Sequence, residues 1–127
     1  MNNMQAWVDG MSAQWQRDRS ATQMTLGKLI ERLESMPPQT MIDGIYDPHS
    51  YRGYYCDLAF EIRGKKPVAD VLAICRSAMG EVFQGYKGGD YQMGKATPVW
   101  IASYGRCGQK IVALRDDGTF ELAEDEQ

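Results

Sequence analysis

The single histidine of this 127-residue chain stands among three tyrosines and a guanidinium: His49, Tyr51, Arg52, Tyr54 and Tyr55. A second polar cluster, residues 83–93, holds Phe83, Tyr86, Lys87 and Tyr91 around glycines 85, 88 and 89. A third cation, Arg106, sits between Gly105 and Cys107. Aromatic faces stack flat rings, worth about 1–3 kcal/mol per nucleic-acid base. Guanidinium forks match phosphate oxygens through paired hydrogen bonds. Glycine amides can approach an anion closely. Together these residue types fit a flat, negatively charged ligand. Each also has a plainer reading. Tyrosines fill the space between strand and helix, and the glycine cluster makes a wide turn leading into a strand.

Catalytic chemistry is poorly supported. Asp47-Pro48-His49-Ser50 lacks the glycines of a nucleophile elbow. The glycine spacing of the second cluster is neither a P-loop nor GxGxxG. Asp57 and Glu61 fall four apart on the polar side of a strand, where solvation explains them. His49 as a general base stays open as an enzymatic alternative.

The elements that must position these groups follow from periodicity. Residues 4–19 carry Trp7, Val8, Met11 and Trp15 at helical spacing, an amphipathic stripe that must bury against the domain or a second subunit. Residues 20–23 read as a linker. Thr25 is an N-cap, and Leu26, Leu29, Ile30 and Leu33 recur at i, i+3, i+4 and i+7 until Pro37-Pro38. Residues 41–46 form a short strand, and 47–54 a loop. From Cys56 the pattern alternates, with Cys56, Leu58, Phe60 and Ile62 on one face and Tyr55, Asp57, Ala59 and Glu61 on the other. Residues 67–79 form a helix with Pro67 in its first turn, stopped at Gly80. Residues 98–104 and 110–115 make an antiparallel hairpin with Arg106 at its tip, and 119–122 a further strand. The expected fold is α+β, with N-terminal helices and one central helix packed on a largely antiparallel sheet. The expected division is a helical extension (1–23), one domain (24–122) and an acidic tail (123–127).

Composition narrows the partners. A formal net charge of −3 argues against non-specific binding of double-stranded nucleic acid, though a few local arginines still suit a small anion. Three cysteines without CxxC spacing read as reduced thiols in a cytoplasm. One histidine and scattered cysteines give no metal site. No apolar run approaches the ~18 residues of a membrane span.

Longer runs carry a resemblance. Pro48-His49-Ser50-Tyr51-Arg52-Gly53-Tyr54-Tyr55 with Asp57-Leu58-Ala59-Phe60-Glu61 resembles a segment of small accessory proteins of tailed bacteriophages. Tyr86-Lys87-Gly88-Gly89-Asp90-Tyr91 with Thr97-Pro98-Val99-Trp100 does too, as does Met24-Thr25-Leu26-Gly27-Lys28-Leu29-Ile30. Residues 24–104 are similar to the first type of Thoeris anti-defence protein, a phage "sponge". That resemblance implies a non-enzymatic protein of the host cytoplasm that sequesters cyclic ADP-ribose isomers without cleaving them. It implies dimers or hexamers with pockets at subunit interfaces, and in some members cyclic oligonucleotides at a separate site. It makes Phe83 or Tyr86 the stacking ring, Arg52 and Arg106 the phosphate partners, and Lys87 a weaker one. With His49, Tyr51 and Tyr54 these complete the expected ligand-binding set; no cofactor is expected. The rival is a phage inhibitor of a host or defence protein, acting through an acidic surface.

Overall fold

The computed structural model describes residues 23–51, 54–85, 88–103 and 106–124. The expectations for the Trp7–Trp15 helix, the linker before residue 23 and the end of the acidic tail lie outside these residues. Among the described residues the chain is a mixed α+β fold, two helices on a mostly antiparallel five-stranded sheet.

Helix α1 spans Leu26–Glu34. Thr25 caps it as the sequence predicts: its Oγ1 accepts from the Lys28 N–H at 3.3 Å, satisfying one of the amides that a helix start leaves open. Leu26, Leu29 and Leu33 are fully buried. The Arg32 guanidinium then ties the helix end to the sheet, donating to the Leu114 carbonyl at 2.9 Å and to Asp116 at 2.7 Å.

Strand β1 runs Met41–Tyr51 and β2 Tyr54–Pro67, a long antiparallel hairpin. This corrects the sequence reading twice. Residues 47–51 are strand rather than loop, and β2 continues through Arg63-Gly64-Lys65-Lys66. Pro48 is tolerated because β1 is an outer strand of the sheet, where a missing N–H costs little. The break expected at Asp47-Pro48 survives as a bulge. Asp47 takes φ 49°, and the register slips between Tyr46 and His49.

Helix α2, Val68–Ala78, follows directly. Pro67 is the last residue of β2 and the N-cap, not part of the first turn. Val68, Val71, Cys75 and Ala78 are buried against α1 and the sheet, and Arg76 pairs with Glu34 of α1 at 2.7 Å. Strands β3 (Val82–Gln84) and β4 (Asp90–Gln92) make a small hairpin where the sequence gives a wide turn. Its connection depends on Gly88 and Gly89, at φ 94° and 86°. Strands β5 (Val99–Ser103), β6 (Arg106–Leu114) and β7 (Phe120–Glu124) complete the main sheet in the order β1-β2-β5-β6-β7.

One pairing is parallel. β2 and β5 run side by side, Ala59 opposite Trp100, with α2 and the small hairpin as the crossover between them. The helices cover one face of the sheet, over Leu58, Phe60, Val99, Ile101 and Ile111. The outer face carries a separate cluster of Ala59, Trp100 and Cys107, with Tyr51 and Ala102 packed on it. The alternation expected along β2 is present only in part: Leu58 and Phe60 are buried on the expected face, but Cys56 and Ile62 of that face are exposed, and Ala59 is buried on the side read as polar. The sheet also curls until its two ends touch. The Asp43 N–H donates to the Gly118 carbonyl at 2.7 Å, and the Phe120 N–H donates to Asp43 Oδ2 at 2.9 Å. Gly118, at φ 91°, permits that approach; a Cβ there would lie 2.5 Å from the Met41 carbonyl oxygen.

Candidate functional site

The expected ligand residues divide into three groups. Arg52, Tyr86 and Lys87, and the side chains of Tyr54 and Arg106, lie outside the described residues and side chains. His49 and Tyr51 lie on the outer face, around the cluster just described. Phe83 lies in the small hairpin. Arg106 is not itself at a hairpin tip; it opens β6, paired with Ser103.

The outer-face group is a hydrogen-bonded chain. The bulge at Asp47 turns its carbonyl towards His49, whose Nδ1 lies 2.8 Å from that oxygen. A carbonyl only accepts, so Nδ1 carries the proton. In the neutral ring Nε2 is then the acceptor, and the Tyr51 hydroxyl donates to it. The two rings meet edge to face, with centroids 4.4 Å apart. Glu61 Oε2 lies 3.5 Å from the Tyr51 hydroxyl and 3.9 Å from His49 Nε2. Burial and then the Glu61 charge push the Tyr51 phenol above its ordinary pKa, so it stays protonated. Tyr51 leans along the sheet to reach Glu61 and the Trp100–Cys107 cluster.

The second is a cleft of about 490 Å³ beside the small hairpin. Cys56 of β2, Asp90, Tyr91 and Gln92 of β4, and Gly94, Ala96, Thr97 and Pro98 line it. Of the two clusters predicted from sequence, the second lines this cleft through Asp90, Tyr91 and Gln92, whereas His49 and Tyr51 of the first are not among its lining residues. Phe83 pairs directly with Tyr91, and both rings are half-buried on the helix-side core. That packing holds the hairpin against the domain and leaves Asp90 exposed at its edge. Cys56 is an exposed thiol, whereas Cys75 and Cys107 are buried. A smaller cleft of about 360 Å³ lies between Asp47-Pro48 and α2, with Ile74, Ser77 and Glu81 in its lining. Its two carboxylates disfavour an anion.

Sequence reasoning missed Glu61, Asp90, Gln92 and Thr97. Glu61 had a signal: two hairpin strands place it beside Tyr46, within reach of the next residues on that face. Asp90 stood inside the quoted second motif but was not singled out. Thr97 had none; its role depends on a fold of the chain around Gly94, whose N–H donates to Thr97 Oγ1 at 2.8 Å.

Among the described residues no cluster of three or more His, Cys, Asp or Glu could hold a metal ion, and no helix is long and apolar enough to cross a membrane. Compared with family models, curated proteins and solved structures, the chain matches none of them.

Proposed function

We propose that this protein binds and sequesters a nucleotide-type signal of the cyclic ADP-ribose class without cleaving it, as a phage anti-defence protein of the host cytoplasm acting as a homo-oligomer. The observation that carries the reading is the cleft of about 490 Å³, where β2 at Cys56 meets strand β4 of the glycine-hinged hairpin. That volume lies within the range of small-molecule sites, roughly 300–1,000 Å³. A hairpin already fixed by Phe83 and Tyr91 on the core lowers the ordering cost of binding, which sequestration at low signal concentration requires. The phosphates are assigned to the cations that the chain supplies nearby in sequence, Arg52 and Lys87, with Arg106 as the third.

The test is a thermal-shift screen of the full chain against cyclic ADP-ribose isomers and cyclic dinucleotides, followed by heat release and chromatography of the ligand. A rise in Tm with intact ligand recovered supports the reading. No shift with any cyclic nucleotide refutes it.

The His49–Tyr51–Glu61 chain favours one second reading, an acid–base enzyme. A carbonyl-fixed imidazole holding a phenol proton is an arrangement that general catalysis uses. Recovery of a hydrolysed ligand in the same experiment, abolished by His49→Ala, would select it.

A further inference from the structure

The polar groups of the cleft decide which end of a nucleotide-type ligand it takes, an inference that rests on the function proposed above. Among the described residues lining the cleft, the charged side chain is Asp90, an exposed carboxylate. A phosphate placed beside it would face like charge. The neutral groups have unused capacity of a definite kind. Gln92 Nε2 donates to the Gly80 carbonyl at 3.3 Å, which leaves the amide oxygen as an acceptor. Thr97 Oγ1 accepts from Gly94 N–H, which leaves its own O–H to donate. Thr97 is only 7% exposed, so that donor meets little water without a ligand. The cleft therefore offers one buried donor, an amide acceptor and a two-oxygen anionic acceptor.

We propose that this cleft is the ribose subsite: the vicinal 2′- and 3′-hydroxyls of a ribose donate to the two oxygens of Asp90, and the phosphates remain outside. Two adjacent O–H donors match a carboxylate, and hydrogen bonds to a charged acceptor are the stronger ones. The same carboxylate repels phosphate, so the cleft orients the ligand as well as binding it. Its volume of about 490 Å³ also leaves room for a ring attached to the sugar.

The experiment is calorimetry of the full chain with the cyclic ADP-ribose isomer that gives the largest thermal shift, on wild type and Asp90→Asn. Asp90 is exposed, so the substitution leaves the apo Tm in place. The expected result is binding weakened about 10- to 100-fold in Asp90→Asn, the scale of a lost charged hydrogen bond. Adenosine should displace the isomer from wild type, and 2′,3′-dideoxyadenosine should not. Wild type that binds none of the isomers refutes the proposed function. Wild type that binds while Asp90→Asn binds equally well or more tightly overturns the ribose subsite alone, since removing a charge that faces phosphate would strengthen binding. Equal displacement by the dideoxy nucleoside overturns it too.

Discussion

Replacing Asp43 by alanine should open the sheet where its two ends meet. Asp43 holds three elements at once. Its Oδ2 accepts from the Phe120 N–H at 2.9 Å, and its Oδ1 pairs with Lys65 Nζ at 2.8 Å. The backbone bond from Asp43 N–H to Gly118 survives the substitution. Losing a hydrogen bond to a charged acceptor costs about 1.5–3 kcal/mol. The Lys65 pair is half exposed and contributes under about 1 kcal/mol. Asp43→Ala should therefore lose about 2–3 kcal/mol, of which Lys65→Ala alone accounts for less than about 1. Asp43→Asn keeps a neutral acceptor and should fall between them. Urea unfolding followed by circular dichroism measures all three, and the slope m should stay constant, because the folded core is the same. A loss under about 0.5 kcal/mol for Asp43→Ala, or equal losses for Asp43→Ala and Lys65→Ala, would refute the assignment of Asp43 as the clasp.

Two further outcomes follow from the cysteines. Burial pushes the Cys75 thiol up to about 12, so its contribution is intact at neutral pH. Once the pH exceeds the ordinary thiol range near 8.5, the unfolded chain ionises first, and stability falls by up to about 1.4 kcal/mol per unit until the folded thiol ionises too. Cys75→Ala removes this slope. The gap between wild type and variant should thus narrow from about pH 9 to pH 11, and a constant gap in urea titrations would contradict it. Cys56, the exposed thiol on the cleft, should react first with iodoacetamide, ahead of buried Cys75 and Cys107. A bound cyclic ADP-ribose isomer at ten times its Kd should slow that reaction about tenfold, read by mass spectrometry.

What the sequence makes legible here is what local chemistry decides. Thr25, the leucine spacing and Pro37-Pro38 mark α1 because cap, stripe and stop all act within a few residues. The alternation along β2 is readable for the same reason at Leu58 and Phe60, but not at Cys56 and Ile62, which the structure exposes. The extension of β1 through Asp47-Pro48 is not, since proline excludes a central strand but not an outer one. Nor is the parallel pairing of β2 with β5, or the clasp at Asp43, because both join residues far apart in the chain. The site divides the same way. Aromatic and glycine types point to the two clusters, of which the second lines the cleft, while His49 and Tyr51 of the first pack on the outer face. Their neighbours Asp90, Gln92 and Thr97 carry no signal of their own.

The structure separates residues that hold a site from residues free to fill it. His49 and Tyr51 look like ligand groups by type, yet both ring nitrogens and the phenol hydrogen already have partners within the chain. A ligand using them would first have to break bonds that fix the bulge at Asp47, so any gain on binding is offset by that loss. Phe83 is similarly engaged, with its ring on the core opposite Tyr91. Asp90, by contrast, exposes two acceptor oxygens, and Thr97 retains a buried donor, both on the wall of the same cleft. Counting rings and charges ranks the first three residues highest. Counting hydrogen-bonding capacity that the fold leaves open ranks Asp90 and Thr97 above them, and binding free energy follows the second count, because only interactions not already made in the free protein can be gained from a ligand.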